Sequence, residues 1–177
     1  VSSPATTRRT AAPSERVRVR RVHDKASYAP DDVKAILDEA LVAHLGFAHE
    51  GQPFVIPTLH ARLGEEVYVH GSSASRTLRA LGGALPACLT VTLLDGLVFA
   101  RSVFEMSANY RSVVVLGEAR AVTDPDEKMR ALHAFSDQVM PGRWDEVRKP
   151  TRQELKATAV LALSLEEASA KISTGGP

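Results

Sequence analysis

One cysteine, Cys88, stands among the 177 residues. A single thiol excludes an intramolecular disulfide framework and a cysteine-based zinc knuckle, and it suits a reducing compartment. Aromatic residues are also few, at 5%, and Trp144 is the only tryptophan. No apolar run approaches the roughly 20 residues a membrane-spanning helix needs. The N-terminus has no apolar signal core, so a cytoplasmic address is the default expectation. Neither sign of charge dominates: 22 basic residues face 21 acidic ones, leaving no net field to draw in nucleic acid or an anionic membrane. No Walker run, Gly-x-Ser-x-Gly elbow or dinucleotide fingerprint after the first strand is found. The six histidines are scattered, without a His-x-x-x-His pair or carboxylates at ligand spacing, so no metal site is expected.

What is present is a β-rich pattern with a few well-signalled helices. Residues 1–20 read as a disordered leader, rich in Ser, Thr, Pro and Ala as far as Glu15, with Val17 to Val22 as an extended lead-in. Residues 21–177 read as one domain. Asp31 and Asp32 open an amphipathic helix carrying Val33, Ile36, Leu37, Ala40 and Leu41. Leu41 to His49 then turns through Glu50-Gly51-Gln52 into a strand from Phe54 to Arg62. Pro53 and Pro57 cannot donate to a ladder, which places that strand at a sheet edge or beside a ligand along part of its length. Asp95-Gly96, between Cys88–Leu94 and Leu97–Phe104, predicts a hairpin turn. A polar connection, Glu105 to Asn109, leads to Tyr110–Val122, where Gly117 predicts a bulge. Asp124-Pro125-Asp126-Glu127 starts a helix with Met129, Leu132, Phe135 and Val139 as a buried stripe. Thr151 and Glu154 form a capping box ahead of a last strand, Val160 to Leu165, and the tail beyond has little to pack. There is no βαβ alternation. The expected fold is therefore mainly β (α+β), a small antiparallel barrel with peripheral helices.

The chain is organised around one stretch. A strand, Val67 to His70, delivers the small-residue loop Gly71-Ser72-Ser73-Ala74-Ser75-Arg76 to a short helix ending at Gly82-Gly83. Backbone N–H groups, hydroxyls and the Arg76 guanidinium can face one anion there, although the same serines also serve as plain helix caps. His70 ends the strand at the loop, where its ring can donate to a phosphate, line a ligand, ligate haem or bond to backbone. Cys88 reads as core packing. Trp144 reads as a surface anchor or as a platform at a ligand or subunit edge.

Three segments, Phe54–Leu59, Val67–Arg76 and Asn109–Gly117, together with the tail Glu166–Lys171, resemble the FMN-binding split-barrel group. More narrowly they resemble the flavin-nucleotide-binding branch of the pyridoxamine 5'-phosphate oxidase-related proteins, close to the nitroimidazole-resistance proteins. The resemblance implies a six-stranded antiparallel split barrel, a homodimer, and FMN bound at the subunit interface. It also implies site residues. Val55, Ile56, Pro57 and Thr58 run beside the flavin ring, with His60 and Ser112 approaching it. His70, Gly71, Ser72, Ser73, Ser75 and Arg76 grip the phosphate. Trp144 reaches the other subunit's flavin, and His70 is the best candidate acid or base. The oxidases follow Ser-Arg with Lys; here the residue is Thr77, and one charged contact of roughly 1.5–3 kcal/mol is lost. A flavin-dependent oxidoreductase acting on a small organic substrate is the expectation. The alternatives are a non-catalytic flavin carrier, a haem-binding relative with His70 or His60 as axial ligand, and a deazaflavin-dependent reductase.

Overall fold

Left-handed turn residues set the first half of the sheet. Strands β2 (Val42–His49) and β3 (Gln52–Leu63) meet at Glu50 and Gly51, with φ of 52° and 77°. A two-residue hairpin loop with positive φ at both positions matches the twist of its strands. Gly64, at φ 62°, turns β3 into β4 (Glu66–Ser72) with Leu63 opposite Glu66. The computed structural model describes residues 11–176. The first half of the expected leader, residues 1–10, lies outside the described residues; in its second half Val17 is buried and Arg16 pairs with Glu167.

The remaining elements are β1 (Ala26–Ser27), α1 (Pro30–Glu39), α2 (Arg76–Leu81), β5 (Gly83–Val98), β6 (Ser107–Ala121), α3 (Pro125–Val139), α4 (Arg143–Glu146), α5 (Arg152–Ala157), β7 (Thr158–Ser164) and β8 (Ala168–Ser173). All recorded strand pairings are antiparallel. The sheet order is β1-β8-β6-β5-β2-β3-β4-β7, and β7 also pairs with β6. Strands β6, β5, β2, β3, β4 and β7 therefore close a six-membered ring, the expected split barrel. Its interior holds Leu45, Val67, Val69, Leu89, Val91, Val113, Val115, Leu161 and Leu163, capped at one end by Ile36 and Leu37 of α1. A second cluster lies outside the ring, where Ala131 and Phe135 of α3 cover Ala61, Tyr68, Val160 and Ala162.

The capping signals hold. Asp124 accepts from the amides of Asp126 and Glu127, and Thr151 and Glu154 form a complete capping box. Three expectations fail. Asp95-Gly96 is not a turn: β5 runs through it, with Leu94 opposite Tyr110 and Gly96 opposite Asn109, so the pair sits in a bulge. The Asp95 carboxylate is held there by Arg111, at 2.7 and 3.0 Å, and the chain reverses only beyond Val98, across residues 99–106, so the expected polar connection already contains the start of β6. Arg111 also draws the Asp95 carboxyl below its usual pKa. Gly117 pairs regularly with Ala87, and the second irregularity lies between Gly83 and Pro86, where Ala84 takes φ 63°. The tail also packs: β8 lies along β6 from Tyr110–Ser173 to Val115–Ala168, burying Ala168 and Ala170. Its alternation of small residues was too weak a signal to read as a strand.

Truncation after Glu166 is expected to lower the thermal midpoint and the urea midpoint together. An unpacked tail would leave both unchanged. Leu163→Ala, inside the ring, is expected to cost about 2–5 kcal/mol in urea unfolding.

Candidate functional site

Strand β3 pairs with β2 from Gln52 to Leu59, but with β4 only from His60 to Leu63. Strand β4 meanwhile stays on β7 as far as Ser72, opposite Thr158. The two strands therefore part beyond His60 and Val69, and Pro57 falls on the parted length, as a missing N–H requires. A cavity of about 180 Å³ opens in the gap, lined by Ile56, Pro57, Thr58, His70, Gly71, Ser72, Ser75, Thr77 and Leu78.

The loop satisfies most of its own backbone. Ser75 N–H donates to the Ser72 carbonyl (2.9 Å), Ala74 N–H to Ser72 Oγ (3.2 Å), Ser73 N–H to the Ala157 carbonyl (2.8 Å), and Leu78 N–H to Ser75 Oγ (3.4 Å). The serines are thus caps, yet each hydroxyl that accepts keeps its own proton to donate. The amides of Arg76 and Thr77 have no acceptor, and the exposed Arg76 side chain has no ion pair among the described residues. Gly71 leaves room for the Leu78 side chain: a Cβ there would lie 2.8 Å from Leu78 Cδ1, which would have to move aside.

A second cavity, about 750 Å³, lies on the outer side of the ring between β4, α3, α4 and α5. Its apolar wall is Leu59, Leu132, Phe135, Val139, Met140 and Trp144. The helical stripe expected to be buried therefore ends in the open, with Val139 and Met140 more than half exposed. Arg143 and Arg148 stand at its mouth, paired with Glu146 (2.7 Å) and Glu154 (2.6 Å). Arg148 and the Thr151 cap draw the Glu154 carboxyl down to about 2. The Trp144 ring lies parallel to His133 (centroids 4.8 Å apart) with Lys149 Nζ 4.6 Å from its centroid, which binds α4 to α3.

His70 lines both cavities. Its ring meets Phe135 edge-on, centroids 4.2 Å apart, and Nδ1 is enclosed without a hydrogen-bond partner. Burial pushes its pKa below 6.5. A half-buried imidazole whose pKa is lowered and whose Nδ1 has no partner among the described residues favours the neutral form, which is the form that ligates.

Of the predicted residues, Ile56, Pro57, Thr58, His70, Gly71, Ser72 and Ser75 converge on the inner cavity. Ser73 and Arg76 are exposed in the same loop. Others are elsewhere. Val55 is 68% exposed and does not line the inner cavity. His60 is 1% exposed, and its Nε2–H donates to the Leu37 carbonyl at 2.9 Å. Together with Gln138, which donates to the Leu37, Asp38 and Ala40 carbonyls, it satisfies the C-terminal end of α1. That role encloses His60 and corrects both its expected approach to the flavin and its alternative as haem ligand. Ser112 lies between β5 and β8, its Oγ 3.4 Å from the Lys171 carbonyl, away from either cavity. Trp144 belongs to the outer cavity. That cavity as a whole was missed; the signal was an apolar helix stripe continuing to Val139 and Met140 beside a cluster of arginines.

A sequence model described as pyridoxamine 5'-phosphate oxidase matches residues 29–172. The chain belongs to the pyridoxamine 5'-phosphate oxidase family. Among solved structures of similar fold, the flavocytochrome Anf3 from Azotobacter vinelandii is 47% identical, covering 95% of this chain and 78% of its own, with a TM-score of 0.88. An FAD and haem binding protein from Mycobacterium smegmatis is 40% identical over 86% of this chain and 75% of its own, TM-score 0.82. A candidate 5-nitroimidazole antibiotic resistance protein from Bacteroides thetaiotaomicron, 17% identical over 83% of this chain and 86% of its own, shares the fold at TM-score 0.69. Curated proteins contain no match. Family membership and these neighbours show the split-barrel fold, and no helix among the described residues is long and apolar enough to cross a membrane.

His60 and His70 both have pKa values lowered by burial. A group whose folded pKa is depressed contributes stability above its unfolded pKa and loses it as pH falls. Unfolding free energy of cofactor-free protein is thus expected to fall as the pH drops below 6.5, before the carboxylate range is reached. His70→Asn is expected to reduce that slope; an unchanged slope would show that His70 is not buried neutral.

Proposed function

We propose that this chain is a flavin-dependent oxidoreductase that also carries haem. In this reading residues 71–77 would hold the flavin phosphate, and His70 would hold the iron of a haem in the outer cavity. The observation that carries it is His70 itself, an unpartnered imidazole in the wall between an anion-binding loop and a large apolar cavity. The inner residues fit a flavin phosphate: the Ser72 and Ser75 hydroxyls, the Arg76 and Thr77 amides and the Arg76 guanidinium are all donors. The ring edge would meet the parted backbone of Ile56 to Thr58. The outer residues fit a haem, whose apolar macrocycle suits the Leu, Phe, Met and Trp wall. Its carboxylates suit Arg143 and Arg148, and its iron takes an imidazole. The volume lies within the roughly 300–1,000 Å³ usual for such groups.

The phosphate beside the ribityl chain is common to FMN and FAD. The 40%-identical relative that binds FAD and haem favours FAD over the FMN of the wider resemblance. The two groups supply electron transfer when bound; the chain's own residues anchor, orient and cover them. His70 is assigned to iron rather than to acid or base chemistry, because its ring is half-buried, its pKa is lowered by that burial, and it is turned onto Phe135.

A homodimer belongs to this reading. The inner cavity is too small for a tricyclic ring, so a second copy must complete the site. Large apolar side chains stand ready for such a contact: Val55 and, at the end of the β5–β6 arm, Phe99, Val103 and Phe104, the last 96% exposed. A reducing, cytoplasmic setting is proposed with it from the lone, half-buried Cys88.

The purified protein is expected to show a Soret band together with flavin absorption, and to release FAD on denaturation. His70→Ala is expected to lose the Soret band and keep the flavin. Arg76→Ala is expected to weaken flavin binding roughly tenfold. A colourless protein that takes up neither group would end the reading, and FMN alone on release would restore the narrower expectation.

A further inference from the structure

We propose that Arg79 selects FAD over FMN, its guanidinium taking the second phosphate at the exit of the inner cavity. This rests on the flavin reading above and adds to it a recognition element for the half of the cofactor that the cavity cannot hold. At about 180 Å³ the cavity has no room for a second nucleotide. Gly71, Ser72, Ser75, Thr77 and Leu78 line it on the loop side. Ser72 is exposed, as are Ser73 and Ala74 beyond it, so the cavity opens outward past the tip of the loop.

Arg79 is held at that tip. Its Nη2–H donates to the Ala74 carbonyl at 3.0 Å, so the side chain is folded back along α2 toward the loop instead of extending into water. Its other guanidinium donors have no acceptor, and it has no ion pair, among the described residues. Arg76 stands three positions before it, on the same helix face, also exposed and also without an ion pair. Like charges at this spacing repel. No Asp or Glu occurs from Val67 to Leu94 to relieve them. An anion of more than one charge centre is the partner that this pair lacks.

The distribution of charge matches a diphosphate. A terminal phosphate such as that of FMN carries close to two charges at neutral pH. Each phosphate of a dinucleotide is bonded on both sides and carries one. The loop supplies one cation, Arg76, followed by the neutral Thr77, which suits a singly charged phosphate. Arg79, one helical turn further on, suits the next. A guanidinium pinned by one N–H still presents a fork of donors to phosphate oxygens.

The test titrates full-length protein, stripped of flavin, with FAD and with FMN, each by calorimetry. The wild type is expected to bind FAD about fivefold or more tighter than FMN. Arg79→Gln can still donate to the Ala74 carbonyl but carries no charge. It is expected to lose the preference, with FAD weakened about fivefold or more and FMN within about twofold of wild type. Arg79→Lys is expected to restore most of it. Equal affinities for the two flavins in the wild type would overturn the assignment and leave the flavin reading standing. Arg79→Gln weakening both flavins alike would overturn it too, by showing that Arg79 only holds the loop, and so would a variant that weakens neither. A wild type that takes up neither flavin would overturn the flavin reading and this assignment with it. The wild-type comparison decides the matter even where a variant fails to fold.

Discussion

The site exists because β3 and β4 stop pairing beyond His60 and Val69 while each keeps its other neighbour, β2 and β7. Every strand in a closed ring wants two partners, since an unpaired backbone edge is costly to bury and prone to wrong association. Here Pro57 makes continued pairing unfavourable, and Gly71 lets α2 approach where a side chain would collide with Leu78. The gap presents strand backbone on one side and a donor-rich loop on the other.

The outer cavity depends on the same strand. Residues of β4 alternate between the interior, where Val67 and Val69 are enclosed, and the outer face, where Tyr68 and His70 lie beneath α3. Tyr68 is fully occupied: its hydroxyl donates toward Glu66 and Glu127, at 2.8 and 3.1 Å, and Arg120 clamps both carboxylates. Two residues on, His70 has no such network. Along one strand face the packing thus changes from a satisfied polar anchor to an unsatisfied imidazole under an incompletely covered apolar helix. That contrast separates a packed end of α3 from an end left open beside a cavity.

Much of the fold could be read in advance because its signals are local. Helix caps at Asp124 and Thr151, the Glu50-Gly51 turn and the Pro57 strand each follow from chemistry within four residues. Asp95-Gly96 misled because the same dipeptide serves a turn or a bulge, and the choice belongs to Arg111, 16 residues away. Strand β8 was missed because Ala, Ser and Lys alternate with Ile172 as the one large apolar residue, and its burial comes from pairing with β6 and β1. The inner site was legible as a contiguous loop with a strand beside it. His60 looked equivalent to His70 in the sequence, but α1 claims it through the Leu37 carbonyl, a contact 23 residues away. The outer cavity needed four separate elements to come together, and no local pattern announces that.

Hydrogen–deuterium exchange with and without flavin tests most directly whether the parted strands form the ligand site. The account predicts that flavin protects two segments at once, 54–60 and 70–78, with little change in α1 or in the β7–β8 region beyond Leu161. Protection confined to other segments, or in the loop without the strand, would contradict it.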